Sequence, residues 1–129
     1  MPRTTMATWL SLAAGSLAGG LARYFMAGGV HRALGAAFPY GTFLVNMSGC
    51  FLIGLFDCLT AERFALSPAA RLLLMTGFCG AFTTFSTLIL ETSNLMKGGD
   101  FVRALLNVAG SLVGGLILLR LGTLVGRSL

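Results

Sequence analysis

Apolar residues fill most of this chain in four long blocks, and each block is about as long as a membrane-crossing helix. The blocks lie near 7–28, 41–61, 71–95 and 102–125, and the short stretches between them carry most of the charged and turn-forming residues. A helix that crosses a bilayer needs about 20 apolar residues, because each residue adds about 1.5 Å to its length. The pattern therefore predicts an all-α integral membrane protein, in which residues 1–129 form a single domain of four transmembrane helices.

Composition supports the lipid bilayer as the solvent of this chain. With 56% hydrophobic and only 10% charged residues among 129, and a mean hydropathy of +0.87, it has too few charges to cover a water-soluble domain. The net charge is +5, but the basic residues are scattered rather than clustered, which argues against nucleic acid as a partner. The three cysteines lie inside apolar blocks without C-x-x-C spacing, and the single histidine, His31, falls in a predicted connection, so no metal cluster is expected.

The basic residues do not select an orientation in the membrane. Cytoplasmic loops normally hold an excess of Lys and Arg. Four spans would place five basic residues on one side and four on the other: Arg3, Arg63, Arg71, Arg120 and Arg127 against Arg23, Arg32, Lys97 and Arg103. A chain without bias can insert in both orientations, and two oppositely inserted copies can pair about a two-fold axis in the membrane plane. We therefore predict an antiparallel, dual-topology homodimer. The alternative is that some basic residues lie too deep in the membrane to influence insertion, so that the remaining ones favour a single orientation.

Small residues recur at a spacing that favours close helix packing. The chain has 18 glycines, and pairs of small residues four positions apart occur in the first, second and fourth predicted spans: Gly15/Gly19, Ser16/Gly20, Cys50/Gly54 and Gly110/Gly114. These helices are expected to make tight backbone contacts. The spacing indicates packing and carries no information about a substrate.

Polar residues inside the second and fourth spans are the first functional candidates, because a polar group in hydrocarbon costs free energy unless it meets a partner or water. In the second span, Thr42 and Asn46 fall on one helical face, and the Asn46 amide can donate hydrogen bonds to an anion. In the fourth span, Asn107, Ser111 and Gly115 form a polar-to-small stripe. Two alternatives stay open: an Asn46 amide bonded to a neighbouring helix, and a packing seam in the fourth span.

The third span contains a run that makes a poor helix. Residues 77–87 combine glycines, paired threonines and aromatic residues near the predicted middle of the membrane. If the helix breaks there, its free carbonyl groups must be satisfied by protein, water or a cation, because lipid offers no donor. Carbonyls from two copies could then coordinate a small hard cation, and the freed N–H groups could hold an anion.

Acidic residues are sparse in the predicted spans. Asp57 and Glu91 lie near the ends of the second and third spans, and the first span has no acid. A small multidrug-type proton-coupled exporter is the main alternative function, and it would need a central carboxylate, which is missing here. A structural membrane subunit without a pathway is a third possibility, against which the predicted break argues.

Three motifs resemble those of the Fluc (CrcB-type) fluoride ion channel family, and the match spans all four predicted helices. The motifs are Gly19-Gly20-x-x-Arg23-Tyr24, Pro39-Tyr40-Gly41-Thr42-x-x-x-Asn46-x-x-Gly49 and Gly77-Phe78-x-Gly80-x-x-Thr83-Thr84-Phe85-Ser86-Thr87. The resemblance implies a fluoride-selective channel in the plasma (inner) membrane, not an enzyme, which exports fluoride passively. It also implies an antiparallel homodimer with a structural, non-transported Na⁺ held by the backbone carbonyls of Gly80 and Thr83.

The resemblance also assigns expected roles along the fluoride pathway. Asn46 matches the pore asparagine, Phe85 the first pore phenylalanine and Ser111 a serine of a polar track. Arg23 and Glu91 match residues that face a vestibule.

This chain departs from the family pattern at two places. Leu88 stands where a second pore phenylalanine is expected, and Asn107 and Gly115 stand where the polar track often has Tyr and a second Ser. Thr42 and Thr87 complete the set of hydroxyl groups expected beside fluoride.

Overall fold

A computed structural model describes residues 5–129, which form four long helices joined by short connections. The helices run Met6–Leu34, Tyr40–Glu62, Pro68–Lys97 and Phe101–Ser128. At about 1.5 Å per residue, each exceeds the hydrocarbon thickness of about 30 Å. The second, third and fourth helices are also apolar enough to cross a membrane, which confirms a multi-pass membrane protein. The first helix has the length, at 29 residues, but does not reach the same hydropathy.

The observed helix ends agree with the predicted spans except at one point. The first helix was expected to end near residue 28, but it continues to Leu34 and places His31 in its last turn instead of a connection. It stops at Gly35, whose φ of 83° suits glycine and whose N–H donates to the His31 carbonyl at 2.9 Å. The prediction for this end was wrong because basic residues in a last turn interact favourably with the helix dipole and so extend a helix past its apolar part. Arg3, which was counted among the basic residues on one side of the membrane, lies outside the described residues.

Capping side chains explain where the third and fourth helices begin. Ser67 accepts a hydrogen bond from the Ala70 N–H at the start of the third helix. Asp100 accepts one from the Arg103 N–H, at 3.1 Å, at the start of the fourth helix. This bond and the Arg103 guanidinium hold the pKa of the Asp100 carboxyl below its usual range, so the cap is retained until the pH falls well into the acidic range.

The third helix is irregular and is interrupted, as predicted. It consists of four helical segments: Pro68–Arg71, a π-helical stretch Leu72–Cys79, a single turn Gly80–Phe82, and Phe85–Lys97. Thr83 and Thr84 between the last two segments have extended backbones, with ψ angles of 156° and 112°. The π-helical stretch, and a shorter one at Cys58–Glu62 that ends the second helix, had no signal that we recognised in the sequence.

Glycines bring the first and third helices into backbone contact. A methyl group at Gly15 would overlap the carbonyl oxygen of Leu73, and one at Gly19 would overlap that of Phe78. The predicted close contact at this pair is confirmed. Gly20, in the second predicted pair of the first helix, has no atom within 4 Å of the position its methyl would occupy, so it makes no such contact within the described part of the chain.

The second and fourth helices form the other extensive helix–helix contact of the fold. A methyl group at Gly54 would overlap the Leu119 carbonyl oxygen, and one at Gly122 would overlap that of Phe51. At one end of this pair, Arg127 donates to both carboxylate oxygens of Glu62, at 2.7 and 2.9 Å. Because these side chains are about half exposed, the ion pair fixes the register of the two helix ends more than it stabilises the fold.

Candidate functional site

A single side chain of the second helix makes hydrogen bonds to the backbone where the third helix is interrupted. Asn46 Nδ2 donates to the Thr84 carbonyl oxygen at 3.1 Å, and the Thr84 N–H donates to Asn46 Oδ1 at 2.8 Å. The amide thereby satisfies the Thr84 N–H, which has lost its helical acceptor and would cost about 1–3 kcal/mol if buried and unpaired, and it adds a second bond to the Thr84 carbonyl. This pair of bonds matches the alternative stated above for Asn46, in which its amide is bonded to a neighbouring helix. It uses one of the two Asn46 amide hydrogens and leaves the other as a donor.

The helix restarts on the side chain of Thr84. Its Oγ1 accepts from the Thr87 N–H at 3.2 Å and donates to Thr87 Oγ1 at 2.9 Å. In a continuous helix the Thr87 N–H would bond the Thr83 carbonyl, and the Thr84 N–H would bond the Gly80 carbonyl. Both donors are used elsewhere, so the carbonyls of Gly80 and Thr83 are released from the helical ladder.

A cavity of about 540 Å³ opens on one side of the break. Its polar lining comes from all three neighbouring helices: Arg23, Arg32, Thr42, Thr84, Thr87 and Glu91. Arg23 Nε also donates to the Ala81 carbonyl at 3.0 Å, which ties the first helix to the turn before the break. Two guanidinium groups against one carboxylate leave this cavity attractive to small anions.

Among residues 5–129, only one of the two carboxylate oxygens of Glu91 has a hydrogen-bond partner. Its Oε1 accepts from Thr42 Oγ1 at 2.8 Å, whereas its Oε2 is buried without a partner among residues 5–129. The side chain stands between the large cavity and a neighbouring one of about 300 Å³ that His31 and Leu95 also line. Arg23 and Glu91, predicted to face a common vestibule, do line the same cavity.

A third cavity, of about 260 Å³, lies on the other side of the break and is called here the inner cavity. The predicted pathway and sodium-site residues that line it are Asn46, Thr83, Phe85, Leu88 and Ser111, and Thr84 lines it as well. Phe85 is 73% exposed, whereas Leu88 is almost fully buried. Since Thr84 lines both cavities, the interrupted backbone is the partition between them.

The polar stripe of the fourth helix divides into two different environments. Asn107 is 1% exposed, and its Nδ2 donates to Thr92 Oγ1 at 3.0 Å, which in turn donates to the Leu88 carbonyl at 2.7 Å. Ser111 instead reaches the inner cavity. Asn107 Oδ1 and Ser111 Oγ are both buried without a hydrogen-bond partner in the described part of the chain, so each can accept a bond from water or from a mobile donor.

Several contacts at this site were missed by reasoning from the sequence. Thr92 was not recognised as the partner of Asn107, although a second polar residue deep in the third span was a usable signal. Cys50 and Cys79, which were not among the predicted site residues, line the inner cavity. No sequence signal that we know would have shown the Asn46 clamp on Thr84.

Sequence comparison found a matching family model and several similar proteins. The family model described as "CrcB-like protein, Camphor Resistance (CrcB)" matches residues 10–123. A protein of Chlorobaculum tepidum named "Fluoride-specific ion channel FluC" is 52% identical over 118 residues, which cover 92% of this chain and 93% of that protein. Proteins of the same name from Maridesulfovibrio salexigens and Methylocella silvestris are 45% and 46% identical, over 95% and 91% of this chain and 97% and 89% of their own lengths.

Proposed function

Because this chain belongs to the CrcB-like protein family, we propose that it is a fluoride-specific ion channel and not an enzyme. The observation that carries the proposal is the clamped break: a polar, backbone-lined partition between two cavities in the middle of apolar helices. A purely structural bundle would gain nothing from interrupting a helix in lipid.

Fluoride is small and strongly hydrated, so a narrow pathway must replace its water with donors that do not bind it too tightly. The inner cavity offers the second amide hydrogen of Asn46, the hydroxyl of Ser111 and the positive ring edge of Phe85. Its lining includes no charged side chain, which would trap or repel the ion. Leu88 supplies no ring edge, so this path relies on a single aromatic contact per chain.

The large cavity serves as the vestibule in this proposal. Arg23 and Arg32 raise the local concentration of anions, and Thr42 and Thr87 offer hydroxyl donors toward the break. Asn107 acts indirectly, because it is bonded to Thr92 and supports the third helix behind Leu88.

The complete channel is proposed to be an antiparallel, dual-topology homodimer in which the first helix also crosses the membrane. The near-even distribution of basic residues supports insertion in both orientations. Gly20 and the exposed Gly80 leave a small-residue face of the first and third helices with almost no neighbouring atoms, a face that a second copy could approach closely.

A structural Na⁺ at the break is proposed on the chemistry of the donor set. The carbonyls of Gly80 and Thr83 have lost their helical N–H partners, and hard cations prefer such oxygens. Two copies would contribute four carbonyls to the ion, which would neutralise their partial negative charge and stay in place while fluoride moves.

The physiological role is proposed to be passive fluoride export across the plasma (inner) membrane. HF formed in acidic surroundings enters a cell and dissociates in the more alkaline cytoplasm, and a channel lets the trapped anion leave. The proton-coupled exporter gains no support, because the first helix has no carboxylate and Glu91 lies beside the vestibule instead of at the break.

Fluoride efflux from liposomes that contain the purified protein tests the proposed function. A fluoride electrode should record rapid release after a potassium ionophore dissipates the opposing voltage, and a chloride electrode should record none. Empty liposomes and liposomes with a heat-unfolded sample are the controls. A folded protein that releases no fluoride, or releases chloride equally fast, would contradict the proposal.

Removal of Na⁺ should destabilise the assembled protein. Exchange of Na⁺ for N-methylglucamine should lower the temperature of unfolding in detergent, because a ligand at 100 times its Kd contributes about 2.7 kcal/mol to stability. K⁺ at equal ionic strength serves as the control for screening. An unfolding temperature that is the same in Na⁺, K⁺ and N-methylglucamine would refute the sodium site, whereas the fluoride pathway is tested separately by the efflux assay.

A further inference from the structure

Three sulfur-containing side chains share the wall of the inner cavity: Met47, Cys50 and Cys79. Met47 and Cys50 are one turn apart on the second helix, and Cys79 lies on the third helix just before the break. All three cysteines of the chain are free in the described residues, and the third, Cys58, lies apart from this cavity, with its thiol directed at Glu62.

The sulfur side chains lie close together. A methyl group at Gly115 would be 3.1 Å from Cys50 Sγ and 3.8 Å from Met47 Cε, so both side chains occupy the space above this glycine. Cys79 lines the same cavity from the third helix, which packs closely on the second helix here, because a methyl group at Gly49 would overlap the Thr83 side chain. The sulfurs therefore converge from two helices on one small, mostly apolar space.

We propose that Cys50 and Cys79, assisted by the Met47 thioether, form a binding site for a soft, thiophilic divalent cation at the wall of the inner cavity. Thiolate and thioether sulfurs are the ligands that soft metal ions prefer. On binding, two S–H bonds break and two metal–sulfur bonds form, and both protons pass to water. A divalent ion with two thiolates is neutral overall, which avoids the cost of leaving a charge in an apolar cavity.

The same set of sulfur ligands does not fit structural Zn²⁺. Structural Zn²⁺ requires four ligands, usually Cys and His, and the described residues contain no group of three or more His, Cys, Asp and Glu that could hold a metal. An ion that is satisfied by two sulfurs fits, and Hg²⁺ is the appropriate probe.

Occupation of this site should block the pathway, and this step rests on the proposed function. The bound ion would lie in the space that Asn46, Phe85 and Ser111 also line, and it would displace the water or fluoride there. Blockade is thus a second consequence, separate from binding itself.

Titration of the folded protein with HgCl₂ tests the site without reference to fluoride. With a monothiol competitor in excess, ultraviolet absorption of the mercury–thiolate bonds should rise to one ion per chain, because a single thiol such as Cys58 then does not retain the ion. Cys58→Ser should bind as wild type does, whereas Cys50→Ser and Cys79→Ser should each bind about 100-fold more weakly, because the second thiol then no longer closes a chelate. Cys50→Ala and Cys79→Ala serve as second variants if a serine variant does not fold. Binding by the Cys50 and Cys79 variants as tight as that of wild type, or loss of binding in Cys58→Ser, would overturn the site.

Fluoride efflux measured in the same samples separates the two claims. Block of wild type and Cys58→Ser by micromolar HgCl₂, reversed by a dithiol, supports a site on the pathway. Stoichiometric binding through Cys50 and Cys79 with unchanged efflux overturns the blockade and the placement of the fluoride path through the inner cavity, while the metal site itself stands. A protein without any fluoride flux refutes the proposed function, and the mercury titration alone then decides whether the metal site exists.

Discussion

Fluoride efflux should fall at least about 100-fold when Asn46 is replaced by aspartate. The carboxylate keeps the oxygen that accepts the Thr84 N–H, but it loses the Nδ2 donor to the Thr84 carbonyl and the second amide hydrogen offered to fluoride. It also places a negative charge where the anion must pass. Two like charges about 4 Å apart repel by about 4 kcal/mol at an effective dielectric constant of about 20, and each 1.4 kcal/mol is a factor of ten, so fluoride permeation should slow by about two orders of magnitude or more.

The matched control is Asn94→Asp, the same chemical change at an exposed position near the end of the third helix. We expect its efflux to stay within about threefold of wild type, because an exposed charge is screened by solvent. Size-exclusion profiles in detergent establish that both variants fold. Wild-type efflux from a folded Asn46→Asp protein would show that fluoride does not pass this side chain.

Gly19→Ala should lower the free energy of unfolding by about 1–3 kcal/mol. The added methyl would meet the backbone carbonyl of Phe78, which belongs to the π-helical stretch and cannot rotate away as a side chain could. The first and third helices would have to separate. Thermal unfolding in detergent, followed by the fluorescence of the single Trp9, measures the loss.

Gly29→Ala on the same helix is the control, for which we expect no loss of stability or a small gain. Its methyl would have no atom within 4 Å, and alanine favours a helix over glycine by up to about 1 kcal/mol. We therefore expect an unchanged or higher unfolding temperature. If Gly19→Ala is as stable as Gly29→Ala, the close contact between the first and third helices does not contribute to stability.

The sequence alone was sufficient to predict the helical architecture and the interruption. The second, third and fourth helices begin and end within three residues of the predicted spans. The break at Thr83 and Thr84 lies inside the predicted run 77–87. These features depend on local properties: apolar length, capping residues and the poor helix propensity of glycine and threonine, which act within one or two turns.

The sequence was less informative about how each polar residue is used. Asn46 was chosen because it is deep and polar, yet its main partner, the backbone of Thr84, is 38 positions away. Asn107 was placed on the pathway, whereas its amide is bonded to Thr92 in the packed interior. A polar stripe on a helix shows that a partner is required and does not identify the partner.

The amino-acid sequence by itself determined that this chain is a multi-pass helical membrane protein whose third helix is interrupted. Only the tertiary structure decided that Asn46 bonds the backbone at this break, that the broken backbone separates two cavities, and that Cys50 and Cys79 both line one of them. The reason is physical: hydrophobic length and helix propensity are properties of neighbouring residues, but the rotation and depth of one helix against another depend on close glycine contacts distributed over the whole chain.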